Sequence, residues 1–398
     1  MCLESWAMKS SYKRIGDYIQ LVDQRNKGLK VKQLLGLSIS KQFIPSVANI
    51  IGTDMENYKI IRKNQFACST MQVRRDKKMP VALLQEVDEA IISQAYPIFE
   101  VKNTDELDPE YLMMWFTRSE FDREACFHAV GGVRGSLEWE DFENLKLPIP
   151  HIDKQREIVK EYNTIQSRIN LNQQMIQKLE ETAQAIYKQW FVEFEFPDEN
   201  GKPYKSNGGK MVWNEELGKE IPKGWEVGNF KKDLNFKTGK LDSNAAFGDG
   251  KYPFFTCSEE VFKVNSFSFD QEAILLGGNN ATGKFPLKYF KGKFDAYQRT
   301  YVINTNNNQI SNKQIYFRIK GLLDEMRESS VGTTTKFLTM QIFNVIPILV
   351  PVYEIAITFE KHIQKIFTVK DLYLNENQKL EELKELLLSK LVTVEGKI

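Results

Sequence analysis

Shifted along itself by 201 residues, the sequence repeats. Phe142 falls on Phe343, Pro150 on Pro351, Ile158 on Phe359, Ile165 on Ile366 and Leu171 on Leu372. Leu179-Glu180-Glu181 falls on Leu380-Glu381-Glu382, and Gly131 falls on Gly332. With an offset near 205, Ile98 falls on Ile303 and Tyr111 on Tyr316. Solenoid repeats run only ~20–50 residues, so this period is a duplicated domain, not a stacked array. The chain is two copies of one plan: a variable globular unit of about 150 residues, then a helix.

Each helix is written as a heptad seam. The first runs Ile158, Tyr162, Ile165, Ile169, Asn172, Ile176, Leu179, Ala183, Ile186, Trp190, in alternating steps of four and three. Such a seam wants a partner helix along its length. The second runs Phe359, Ile363, Ile366, Lys370, Tyr373, Asn377, Leu380, Lys384, Leu387, Leu391, with Val369 and Leu383 expected to widen it. At 1.5 Å per residue the first helix is roughly 50 Å long. The simplest pairing is of the two with each other, as an antiparallel coiled coil.

The fold class that follows is α/β (α+β): two duplicated mixed α/β domains separated by a pair of long helices. The expected boundaries are 1–150, a central helix 151–192, a connector 193–225, a second unit 226–352 and a final helix 353–398. Within the units, Lys59 to Thr70, Ala90 to Val101, Glu272 to Leu276 and Tyr297 to Asn304 read as strands. Pro109 to Phe127 reads as a helix, and Gln314 to Glu328 as partly helical. The connector is too aromatic for a flexible linker.

Composition excludes several classes. Aromatic content of 12% with a net charge of +1 contradicts disorder. The longest apolar run, Val345 to Val352, contains Pro347 and Pro351 and is far short of the ~20 residues of a membrane span. The opening MCLESWAMKSS lacks an apolar signal core, so a cytoplasmic location is expected. Cys2, Cys68, Cys126 and Cys257 form no CxxC pair and read as reduced thiols. His128, His151 and His362 lie far apart, so no metal site is expected. With 54 basic against 53 acidic residues, any nucleic-acid surface must come from local placement. Residues 226–350 carry 16 Lys and Arg against 12 Asp and Glu, while residues 1–150 carry 20 against 21.

Gly278-Asn-Asn-Ala-Thr-Gly283-Lys284 fits the outline of a phosphate loop. Phe285 and Pro286 follow it, however, instead of a magnesium-binding hydroxyl and a helix, which argues against nucleotide hydrolysis. What remains is a polar loop displaying Asn279, Asn280, Thr282 and Lys284, side chains suited to base edges and phosphates. In the first copy, Gln65 to Gln72 aligns with Gln271 to Gly278. After it come Arg74, Arg75, Lys77 and Lys78. A charge run is ordinarily solvated surface, but the same placement in both copies favours a shared role. Arg134 in GGVRGS corresponds to Thr333, Thr334, Thr335 and Lys336 in VGTTTKF. Lys288, Lys291, Lys293 and Arg299 add positive charge. The expected DNA-contacting set is therefore Gln72, Arg74, Arg75, Lys77, Lys78, Arg134, Asn279, Asn280, Thr282, Lys284, Arg299, Thr333, Thr334 and Lys336. The coiled-coil set is Ile158, Ile165, Ile169, Ile176, Leu179, Ile186, Ile363, Ile366, Leu380 and Leu387. No methyltransferase motif or catalytic constellation is present.

Three segments carry a resemblance: LPIPHIDKQREIV leading into the first helix, KLEETAQAIYKQWFVEFEFP at its end, and GKPYKSNGGKMVWNEELGKEIPKGWEV after it. With the duplicated plan, the chain resembles the specificity (S) subunit of type I restriction–modification enzymes over essentially its whole length. The second copy, LVPVYEIAITFEKHI, departs by lacking the Gln-Arg-Glu. The resemblance implies two target-recognition domains, each reading half of a bipartite site in double-stranded DNA. The helices would form the spacer and dock two modification (methyltransferase) subunits, with restriction subunits joining them. S-adenosylmethionine would be bound by the partner methyltransferase, and ATP and Mg by the partner restriction subunit, leaving this chain without cofactor, metal or catalysis. A ~50 Å spacer exceeds a ~34 Å DNA turn, which places two half-sites on one DNA face. The alternatives are a duplicated-domain protein-binding scaffold, which predicts no salt-dependent DNA binding, and a single-chain nuclease, which predicts metal-dependent cleavage.

Overall fold

A computed structural model describes residues 12–46, 53–131 and 135–393. Cys2 and Arg134 lie outside the described residues. The chain divides into two compact units. One runs to Asn172 and resumes at Asn375, and the other is Gln173–Leu374.

The first unit is built on an antiparallel sheet in the order Ile19–Val22, Ile98–Val101, Phe66–Cys68, Val81–Leu83. Two expected strands are each split. Lys59–Thr70 breaks because Asn64 takes a left-handed φ of 68°, separating Lys59–Arg62 from Phe66–Cys68. Ala90–Val101 breaks at a turn closed by the Tyr96 N–H on the Ser93 carbonyl, separating Glu89–Ile92 from Ile98–Val101. Lys59–Arg62 and Glu89–Ile92 then pair with each other. The expected helix Pro109–Phe127 is two helices, Pro109–Thr117 and Ser119–His128. The break is Arg118, which is extended, buried, and stacks its guanidinium 4.2 Å from the Trp115 ring. Asp108 caps the first of these helices by accepting the Glu110 and Tyr111 N–H groups.

The second unit holds a six-stranded sheet, in the order Leu234–Thr238, Thr300–Thr305, Phe269–Gly277, Leu287–Ala296, Tyr252–Phe255, Val261–Val264. All neighbours are antiparallel except Leu287–Ala296 with Tyr252–Phe255. The expected Tyr297–Asn304 strand begins at Thr300, because Tyr297 closes a turn by accepting the Thr300 N–H. The segment expected to be partly helical is one full helix, Asn312–Ser329, capped by Ser311.

Each unit closes on itself in the same way. Tyr12–Arg14 pairs antiparallel with Lys146–Pro148, and Glu226–Asn229 with Pro347–Val350. The closing strand leads directly into a long helix, Ile152–Phe191 or Tyr353–Lys390. Pairing between these helices is antiparallel within each unit. In the first, Gln166 meets Lys384 and Asn172 meets Asn377. In the second, Glu180 lies beside Lys370, and the Trp190 and Phe359 rings are 5.6 Å apart. Every residue of both seams is buried or half-buried. Val369 and Leu383 do not widen the stripe; both are exposed. They lie one position, about 100° of helix rotation, from the seam.

Candidate nucleic-acid interface

The two units present the same small structure at positions 201 residues apart. Val130 and Ser136 exchange both backbone N–H···O bonds at 2.9 Å, and Val331 and Phe337 do the same at 3.1 and 2.8 Å. The residue after each valine is a glycine with positive φ, Gly131 at 100° and Gly332 at 108°. A Cβ on Gly332 would sit 2.0 Å from the Thr335 carbonyl oxygen, so only glycine closes this turn. In both units the turn is pinned to the loop that follows a sheet strand. The Leu137 N–H donates to the Thr70 carbonyl, and the Leu338 N–H to the Gly278 carbonyl, each at 2.9 Å.

In the first unit, the loop from Gln72 to Lys78 packs on this turn. Gln72 and Lys77 take left-handed φ values and bracket a single helical turn, Val73–Asp76. The buried Val73 anchors it while Arg74, Arg75, Lys77 and Lys78 are exposed. Arg74 donates from its backbone N–H to Gly135 and from Nη1 to Gly131, so it also braces the turn. Arg75 binds Asp76 at 2.6 Å and holds that carboxyl below its usual range.

In the second unit, Asn279–Asn280 pairs antiparallel with Lys336–Phe337. Asn280 Oδ1 accepts both the N–H and the hydroxyl of Thr282. Arg299 lies with its guanidinium 5.3 Å from the Phe337 ring. Asn279, Asn280, Thr282, Arg299 and Lys336 are thus brought together, while Lys284, Thr333 and Thr334 are exposed. Lys288 is engaged structurally, its Nζ donating to the Ser258 carbonyl. Lys293 leans over the Phe267 ring, and Lys291 is exposed.

Two features escape sequence reasoning. Val130 and Val331 are 58% and 52% exposed at equivalent points of the twin turns. The only signal was the Gly131–Gly332 match. Lys313 is 1% exposed and sits 3.4 Å from Glu272 and 2.5 Å from Glu360. It ties the strand that leads into Asn279 to the second long helix. A charge so distant in sequence from both partners leaves no local pattern.

Among the described residues, no group of His, Cys, Asp and Glu is placed to hold a metal ion, and no helix is long and apolar enough to cross a membrane. Cys68 is a buried free thiol whose ionisation is pushed far up by burial.

A duplicated α/β unit, closed each time by its own strand pair, carrying the same hydrogen-bonded turn and followed by a long helix, defines a protein of two repeated domains joined through helices. The model of the type I restriction modification DNA specificity domain matches residues 47–181 and again 222–385, and the chain belongs to that family. It is 41% identical over 119 residues to the type I restriction enzyme EcoDI specificity subunit of Escherichia coli; the match spans 30% of this chain and 26% of that subunit's length. It is 26% identical over 308 residues to the MjaIX specificity subunit of Methanocaldococcus jannaschii, spanning 71% of this chain and 67% of the relative. The crystal structure of the type I restriction–modification system S subunit from M. genitalium shares the fold. It aligns with a TM-score of 0.55 at 17% identity, over 96% of this chain and 95% of that one.

Proposed function

We propose that this chain is the DNA-reading subunit of a type I restriction–modification complex. Each unit reads one half of a bipartite double-stranded target. Side chains of the twin turns and their neighbouring loops meet base edges, and cations such as Arg74 and Lys284 fix the register on phosphates. The paired helices set the separation of the half-sites and dock two modification subunits. Methylation and cleavage belong to the other chains: S-adenosylmethionine to the modification subunits, ATP and Mg to the restriction subunits.

The observation that supports this best is the twin turn. One hydrogen-bonded turn recurs at a 201-residue offset, pinned each time to a polar loop. Two equivalent loop clusters on one chain suit two half-sites on one ligand. The test is to map methylated adenines genome-wide, with and without this chain, in cells that carry the modification subunit. A bipartite motif that disappears on deletion supports the reading, and unchanged methylation overturns it.

A further inference from the structure

The second unit holds a partly open cavity of about 120 Å³ outside the loops assigned above to DNA. Its apolar wall is made by Phe191 of the first long helix, Leu217 of the connector and Ile348 of the closing strand. Two cations line it, Lys219 and Arg318. Among the described residues, neither makes a salt bridge or a side-chain hydrogen bond. Partial burial first, and then the positive charges of Arg318 and Lys205, hold the Lys219 ammonium below the usual lysine range, while the residue keeps an exposed face. Lys219 does rest against the Phe194 ring, at 5.3 Å, but that contact supplies no counter-charge. The other polar side chain, Gln314, is committed to the Leu349 carbonyl at 2.8 Å. Tyr187 also lines the cavity, and burial raises its hydroxyl to about 12, so it stays a hydrogen-bond donor.

Two cations lining one cavity, neither of them ion-paired among the described residues, repel one another, and an arriving negative charge relieves that repulsion. A carboxylate can accept from Arg318 in two-pronged geometry and from Lys219 and Tyr187 beside it. The apolar wall, which a bare phosphate would leave unsatisfied, calls for a hydrocarbon body. A dry cavity of ~150 Å³ takes benzene, so this smaller one takes a short branched chain.

We infer that this cavity binds a carboxylate carried on a compact branched hydrocarbon body. That chemistry has two sources, a free short-chain acid and the terminal carboxylate of an apolar chain end.

Calorimetric titration of the full chain decides among them. The probes are 3-methylbutanoate for the free acid, N-acetyl-L-leucine for the chain end, 3-methylbutanamide as the uncharged shape and inorganic phosphate as the bodiless anion. The expected result is saturable binding of one or both carboxylates, with the amide and phosphate at least roughly tenfold weaker. A preference for N-acetyl-L-leucine assigns the site to a chain end, and a preference for 3-methylbutanoate assigns it to a free acid. Arg318→Gln and Lys219→Gln are each expected to weaken binding by roughly tenfold while leaving the thermal transition in place. Equal binding of the amide, equal binding of phosphate, absence of carboxylate binding, or indifference to both substitutions each overturns the proposal.

Discussion

The side-chain amide of Asn172 donates to Oδ1 of Asn377 across the helix pair, 2.9 Å away, where a polar member of one seam meets a polar member of the other. Asn172 is 0% exposed and its own oxygen has no partner. Arg168 and Glu376 add an ion pair at 2.9 Å beside it. A polar residue at a seam position fixes register at a cost in stability. Asn172→Leu is therefore expected to leave the melting temperature unchanged or higher, while widening the range of half-site spacings that the assembled enzyme methylates. Unaltered spacing selectivity would remove the register role.

Gln155 is 0% exposed and makes three hydrogen bonds that join the first helix to the loops before it. It accepts the Asp108 N–H and donates to the Glu106 and Pro150 carbonyls, at 2.8–2.9 Å. Gln155→Ala strands three backbone groups, one buried and two half-buried, and is expected to destabilise the first unit by about 2–4 kcal/mol. Urea unfolding followed through first-unit tryptophans such as Trp115 measures it. Gln309→Ala, which loses one bond to the Pro351 carbonyl, is expected to cost about 1 kcal/mol.

Lys313→Met is expected to destabilise the second unit by about 3–5 kcal/mol, because Glu272 and Glu360 are left near each other without their cation. Removing all three charges together, with Leu at both glutamates, is expected to recover most of that loss. A triple variant as unstable as the single one would show that packing, not charge, is what Lys313 supplies.

Glu180 accepts from the Tyr316 hydroxyl at 2.5 Å and pairs with Lys320 at 3.1 Å. Burial alone would raise its pKa, but Tyr316, Lys370 and Lys320 outweigh burial and hold the carboxyl below its ordinary value. A depressed folded pKa adds stability above the unfolded value of about 4.3 and loses it as pH falls through the folded value. The melting temperatures of the parent and Glu180→Gln are thus expected to differ at pH 7 and to converge as pH drops below about 4. A constant gap across that window would contradict the assignment.

For DNA binding, Arg74→Ala and Lys284→Ala are each expected to lower the salt-dependence slope by about 1 if each side chain contacts one phosphate. Substitutions at Asn279 or Asn280 are expected to change base preference in one half-site only. Electrophoretic titration across salt concentrations, with each half-site randomised in turn, separates the two kinds of effect.

Both seams were legible because a 3.5-residue period is written locally, and all twenty of their positions are at least half-buried. The polar members Asn172, Lys370, Asn377 and Lys384 did not mislead, since the period carried across them. The strands were less legible. A single left-handed residue, Asn64, splits one, and no periodicity announces a positive φ. The missing glutamine of the second copy's Gln-Arg-Glu has a physical account that sequence could not give. Pro150 and Pro351 occupy equivalent positions, and both carbonyls accept a glutamine amide, one from the helix at Gln155 and one from a loop at Gln309. The chemistry is kept while its donor moves, and alignment by position cannot follow that. In the loops, placement was legible but use was not: Arg75 is occupied by Asp76, and Lys288 by the Ser258 carbonyl.

The strand pairs that close each unit have a consequence for how such a chain changes over generations. Tyr12–Arg14 lies beside Lys146–Pro148, and Glu226–Asn229 beside Pro347–Val350, so each unit begins and ends at one place. Whatever lies between those two strands hangs from a fixed clasp. Lengthening, trimming or exchanging it is expected to leave in place the helix that follows the closing strand. A lineage can then acquire a new vocabulary by replacing a single cassette while its grammar, the helix pair, stays as it was.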